Sequence, residues 1–252
     1  MADSHHTIDI DGRAVPLRVR RNARARNLIL RLDEDTGGAV VTIPKRTPVR
    51  DALDMAQRRA GWIAAQLKRV PEPAPFVAGA RIPYLGVEHM VRHDPGGRGI
   101  TRLVDAPGDE IVVSGREEHL ARRLADWLKA QAKAELTARA HDKVARLSDL
   151  LGPDLLGQEK HPRKPLGVGR ITVRDTRSRW GSCAVDGNLN FSWRLIMAPE
   201  HVLDYVVAHE VAHLAHRDHG PAFWALADGL TERMNEAKAW LHAHGRTLHR
   251  YG

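Results

Sequence analysis

The chain has 252 residues, 42% hydrophobic and 28% charged, with one cysteine, Cys183. That is enough for one large domain or two small ones with a true core, and it excludes a stapled mini-protein and a disordered chain. A lone cysteine excludes an intrachain disulfide and points to a reducing compartment. No apolar run approaches the roughly 20 residues of a membrane span, so no membrane partner is expected. The start, MADSHHTIDID, is not basic and then apolar, so no signal peptide is expected and the default location is cytoplasmic. Lys and Arg number 39 against 31 Asp and Glu, for a net charge of +8. Seven arginines and no acid lie between Arg13 and Arg31, and seven basic residues with one acid, Asp175, lie between Lys160 and Arg179. Such blocks can meet nucleic acid or nucleotide phosphates, but a solvated basic face is the commoner explanation.

In chain order, residues 7–43 read as a β meander. Ile8 and Ile10 precede the turn pair Asp11-Gly12, and Val15, Leu17 and Val19 alternate with polar neighbours. Leu28, Leu30 and Leu32 alternate again before Asp35-Thr36-Gly37-Gly38, and Val40, Val41 and Ile43 follow. A helix is predicted over about 47–69, with Thr47 as N-cap and Pro48 at its first position. Val49, Leu53, Ala56, Ala60, Ile63 and Leu67 share one of its faces. Pro71-Glu72-Pro73-Ala74-Pro75 reads as a stiff connector. Short strands are predicted near 82–85, 87–91, 100–104 and 111–113. From Glu117 a long helical stretch runs to Gly152-Pro153. Ile171–Val173 and the alternation Leu189, Phe191, Trp193, Leu195 read as strands, with Asp186-Gly187 turning the chain before the second. Helices follow over 201–215, 221–234 and 236–243. No internal repeat is evident. The pattern is α+β: a β-rich N-terminal region with one helix, 1–116, and a second domain, 117–252.

The chemistry centres on His209-Glu210-Val211-Ala212-His213. On a helix, residues four apart lie one turn apart on one face, so both imidazoles can reach one metal ion. Glu210, about 100° round the helix from His209, flanks the ion and can take a proton from water that the metal activates. This is the HExxH arrangement of zinc hydrolases, expected by chance about 0.04 times in a chain of this composition. The helix stripe Val202, Val206, His209, His213, His216 puts the histidines on the apolar side, where unused polar groups would be costly. A catalytic zinc site needs a third protein ligand. His219 precedes Gly220-Pro221, a turn that can bring its ring back to the metal. The alternatives are His216, which on a straight helix spreads the three ligands over about 10 Å, and Glu232 or Glu236 from a later helix.

Arg177-Ser178-Arg179-Trp180-Gly181-Ser182-Cys183, Asn188–Leu195, Ala198-Pro199, Asp204–His213 and His219-Gly220-Pro221-Ala222-Phe223-Trp224 together resemble the YgjP-like metallopeptidase family, which is similar to SprT and WLM zinc peptidase domains. Arg26–Pro48 and Gly79–Gly86 also look like its N-terminal region. The resemblance implies a zincin-like domain with a small antiparallel sheet and the HExxH active-site helix. It also implies zinc held by His209, His213 and His219, and Glu210 as general base acting on a protein or peptide. Further substrate contacts are expected at Asn190 on a strand that pairs with extended substrate, at Trp180 and Arg194, and at Tyr205 one turn before His209. Two other functions fit the same residues: zinc-dependent hydrolysis of nucleotide phosphoanhydrides, with arginines holding phosphate, and a DNA-associated SprT-like protease directed at DNA-bound proteins, with Arg13–Arg31 meeting the DNA.

Overall fold

The computed structural model describes residues 3–33, 36–68, 72–97, 99, 101–104, 109–156 and 167–252. Asp35, Pro71, Ile100 and residues 160–166 of the basic stretch beginning at Lys160 lie outside the described residues. The chain divides into two compact units, Met1–Glu72 and Pro73–Gly252.

The first unit is a sheet of β1 (Ser4–Ile10), β2 (Arg13–Arg21), β3 (Ile29–Asp33) and β4 (Gly38–Ile43), covered by α1 (Val49–Arg58) and α2 (Ala60–Leu67). Asp11 and Gly12 both have positive φ (53° and 77°), which suits the tight turn between β1 and β2. The strands are not a meander. Their order is β1-β2-β4-β3, with β2 and β4 parallel and β3 antiparallel to β4. Ala39, Val41 and Ile43 are fully buried, so β4 takes a central place and the charged β3 takes the edge. Pro48, not Thr47, occupies the N-cap and makes no side-chain bond there. The expected single helix breaks at Arg59 (φ −104°, ψ 13°), close to Gly61, a poor helix former. Two of the N-terminal arginines have local partners. Arg18 pairs with Asp33 at 3.2 Å, and Arg21 donates to the Lys45 and Thr47 carbonyls at 3.0 and 2.7 Å.

The second unit opens with the same topology. β5 (Arg81–Tyr84), β6 (Val87–Asp94), β7 (Arg102–Val104) and β8 (Glu110–Ser114) run in the order β5-β6-β8-β7, again with a parallel central pair. The Leu85-Gly86 turn repeats the two positive φ values (50° and 83°), and Arg92 pairs with Glu110 at 2.7 Å. A repeat that side-chain identity hides is therefore visible in strand order. Each four-stranded unit is followed by a helix, here α3 (Leu120–Leu156). That helix continues through Gly152-Pro153, where the sequence suggested an end.

The division falls near residue 72 and not near 116 because of α3. Its buried stripe Leu120, Leu124, Leu128, Ala132, Leu136, Ala140 and Leu147 joins one core from the β5–β8 sheet onward. The same core takes in a three-stranded sheet, β9 (Ile171–Arg174), β10 (Gly181–Cys183) and β11 (Leu189–Ser192), and the helices α4 (Glu200–Ala212), α5 (Pro221–Leu230) and α6 (Met234–His244). This small sheet is mixed, in the order β10-β11-β9. β10 is antiparallel and β9 parallel to the central β11. Trp193 and Leu195 are buried, as their alternation requires, but they lie in a 3-10 turn, Trp193–Met197, beyond the end of β11.

Lys143 of α3 fixes α4 and α5. Its ammonium donates to the Leu230 carbonyl at 2.6 Å and meets Asp204 at 2.7 Å, and Asp204 also accepts from Thr231 at 2.6 Å. Lys143→Met leaves a carbonyl and a carboxylate short of a donor and is expected to cost about 1–3 kcal/mol. The midpoint of urea unfolding, measured beside the wild type, checks this.

Candidate active site

α4 is buried on nearly every side, and His209 and His213 occupy its last turn. The helix stops at Ala212 with His213 as C-cap. The chain then turns, and Gly220 and Pro221 start α5 in the way the sequence suggests. The turn returns His219 to the helix, where its Nε2 lies 3.2 Å from His209 Nε2. One nitrogen from each of His209, His213 and His219 lies within 4.8 Å of the others. His213 Nδ1 is bonded to the His216 carbonyl at 2.9 Å, which turns its Nε2 into the cluster. His216 thus acts through its backbone. Glu236 is paired with Arg233, Glu232 is exposed, and neither belongs to the cluster.

Phe223, fully buried, is a floor for the cluster: its ring lies 4.9, 4.5 and 4.8 Å from those of His209, His213 and His219. Trp224 forms a wall, 5.8 Å from His209 and 5.6 Å from His219. Burial, then the neighbouring His213 and His219, push the His209 pKa down to about 4, so the ring is the neutral imidazole a metal needs. His209 Nδ1 is buried without a partner among the described residues, so the nitrogen this ring has engaged is the Nε2 that faces His219.

Glu210 is 6% exposed. Burial pushes its pKa up to about 7, against the pull of Arg179 and of a hydrogen bond from the Cys183 N–H. Its carboxyl lies against β10. A Cβ at Gly181 would stand 2.5 Å from Glu210 Oε1, so only glycine admits the carboxyl here. Ser192 N–H donates to the Trp180 carbonyl and Ala184 N–H to the Asn188 carbonyl, at 2.8 and 2.9 Å. By the alternation of an antiparallel pair, the backbone groups of Gly181 and Cys183 therefore point away from β11, toward Glu210 and the open edge. Arg217, in the turn that carries His219, donates to the Ala184 and Val185 carbonyls at 2.9 and 3.2 Å and ties that turn to the end of β10.

The sequence profile of the family described as YgjP-like, metallopeptidase domain, matches residues 26–244. The chain belongs to this family. No curated protein and no solved structure matches it. Membership in the YgjP-like family makes the chain a metallopeptidase-type domain, and the family implies a metal ion, commonly zinc, with protein or peptide substrates. The donor set fits such an ion. The 3.2 Å between two ring nitrogens is close to the roughly 3.3 Å edge of a tetrahedron with 2.0–2.1 Å bonds. No helix of the described residues is long and apolar enough to cross a membrane.

The other sequence-predicted contacts divide. Tyr205 adjoins the cluster, its ring 5.9 Å from His209. The remaining three have partners of their own. Asn190 accepts from Thr172, and it lies on β11, which is paired on both sides, so the strand open to a substrate is β10. Trp180 stacks on His249 at 4.9 Å. Arg194 is fully buried, beside Trp193, and donates to Asp175 and to the Tyr251 and Gly252 carbonyls. Phe223 as a floor and Gly181 as the space for Glu210 are not among the site residues expected from the sequence. The first was signalled by its spacing after His219-Gly220-Pro221, the second by nothing short of the structure. Arg194→Met is expected to lower the melting temperature, with about 1–3 kcal/mol lost from unmet buried carbonyls, while metal content stays that of the wild type. Calorimetry and elemental analysis on one preparation check both halves.

Proposed function

We propose that this chain is a zinc metallopeptidase in which His209, His213 and His219 hold the metal and Glu210 is the general base. The observation that carries the reading is the gathering of three imidazoles, His209, His213 and His219, with Glu210, next to His209 on the same helix, buried against β10. Zinc, when bound, supplies the Lewis acidity that polarises the scissile carbonyl and makes water nucleophilic near neutral pH. The chain's own groups do the rest. The outward N–H and C=O of Gly181 receive an extended peptide as an added strand. Glu210 takes the proton of the attacking water and delivers it to the leaving nitrogen. Phe223 and Trp224 keep the rings in place and water out beneath them. A backbone edge suits a peptide better than a phosphoanhydride, and Arg194, a residue that phosphate would need, is committed to the C-terminal carbonyls. The family match supports protein or peptide substrates and lends no support to a nucleic-acid partner.

Two variants test the assignment on a quenched-peptide library. Glu210→Gln is expected to keep its metal and lose about 10²–10⁴ in kcat, the usual contribution of a general base. Undiminished cleavage would end the assignment. Gly181→Ala puts a methyl where the Glu210 carboxyl lies and is expected to lower kcat with metal retained; a silent Gly181→Ala would remove β10 from the mechanism.

A further inference from the structure

α6 brings to the histidine cluster a cation that the mechanism above leaves without a role. The ammonium of Lys238 lies 3.7 Å from the centre of the Trp224 ring and 6.0 Å from that of Tyr205. Both rings border the cluster, Trp224 against His209 and His219, and Tyr205 against His209. The charge therefore stands one aromatic ring away from the proposed ligands. Cation–π attraction holds an ammonium in place without neutralising it. Among the described residues Lys238 has no carboxylate partner. Glu236, two positions earlier on α6, is engaged by Arg233. Lys238 is thus a half-buried ammonium held over two aromatic faces beside the histidine cluster, with no carboxylate partner among the described residues.

We propose that Lys238 is a specificity-determining residue that binds a carboxylate of the substrate close to the bond being cut. This rests on the metallopeptidase reading of the same site. Tyr205 and Trp224 border the histidine cluster and carry Lys238 on their ring faces, so an acidic group of a peptide held at the cluster gains a charge-assisted hydrogen bond from Lys238. A neutral or basic group meets an ammonium with no partner, which selects against it. The carboxylate can come from an Asp or Glu side chain or from the end of a chain.

The test separates binding from cleavage. Position-scanned peptides, each amidated or with a free C-terminus, are titrated calorimetrically into the zinc-loaded Glu210→Gln protein and into the same protein carrying Lys238→Met, Lys238→Arg or Lys238→Glu. Peptides bearing the carboxylate are expected to bind about tenfold or more tightly than neutral amidated ones, the worth of one charge-assisted bond. Lys238→Met is expected to abolish the preference, Lys238→Arg to retain it and Lys238→Glu to transfer it to lysine-containing peptides. A gain confined to amidated acidic peptides assigns a side chain, and one confined to free termini assigns the chain end. Equal binding of acidic and neutral peptides, or a preference that survives Lys238→Met in a protein with unchanged melting temperature, overturns the proposal. Failure of the wild type to cleave any peptide would instead overturn the metallopeptidase reading, while the binding arm still decides the role of Lys238.

Discussion

The burial of the Glu210 carboxyl is the constraint on which the site depends. A carboxylate taken out of water is costly unless its surroundings are arranged around it. Here they are: Gly181 leaves the space, the Cys183 N–H donates to it, and Arg179 lies near enough to pull its pKa back down. All these groups come from β10 or the residues leading into it. The position of one short strand therefore sets both the environment of the acid and the edge offered to a peptide. Arg217 joins the end of β10 to the turn that carries His219, so the third imidazole is tied to the strand that surrounds the carboxyl.

Behind that strand the structure is a support. β11 is paired on both sides, which leaves it no free edge for an added strand, and it holds β10 in register. The fully buried Arg194 pins Tyr251 and Gly252 through their carbonyls. α3 supplies a core stripe along the whole second unit and, through Lys143, fixes Asp204 five residues before His209. Helix α5 starts immediately after His219, so Phe223 arrives under the three rings within one turn of that ligand.

The site was more legible than the fold. Two histidines four apart and a third before Gly220-Pro221 carry their geometry in their spacing, because helix periodicity and turn chemistry are local. The hairpin turns at Asp11-Gly12 and Asp186-Gly187 were legible for the same reason. Strand order was not. Alternation places Leu30 and Val41 on strands but does not say that β2 pairs with β4, since pairing is decided by which strand buries both faces. The two four-stranded sheets share a topology and two positive-φ turns while sharing few side chains, so no repeat showed in the sequence. Asn190 and Arg194 looked like site residues because polar groups beside a motif invite that reading. The structure gives them ordinary structural partners, Thr172 for one and the C-terminal carbonyls for the other. The three-residue β10 is too short to announce itself, yet it lies against the acid.

In the proposed zinc site His219, and not His216, is the third histidine. Elemental analysis of wild type, His219→Ala and His216→Ala, each purified without added metal and then supplied with zinc, tests it directly. About one zinc is expected in the wild type and in His216→Ala and a large loss in His219→Ala, since His216 contributes only a backbone carbonyl. Zinc retained in His219→Ala, or none in the wild type after loading, would contradict it.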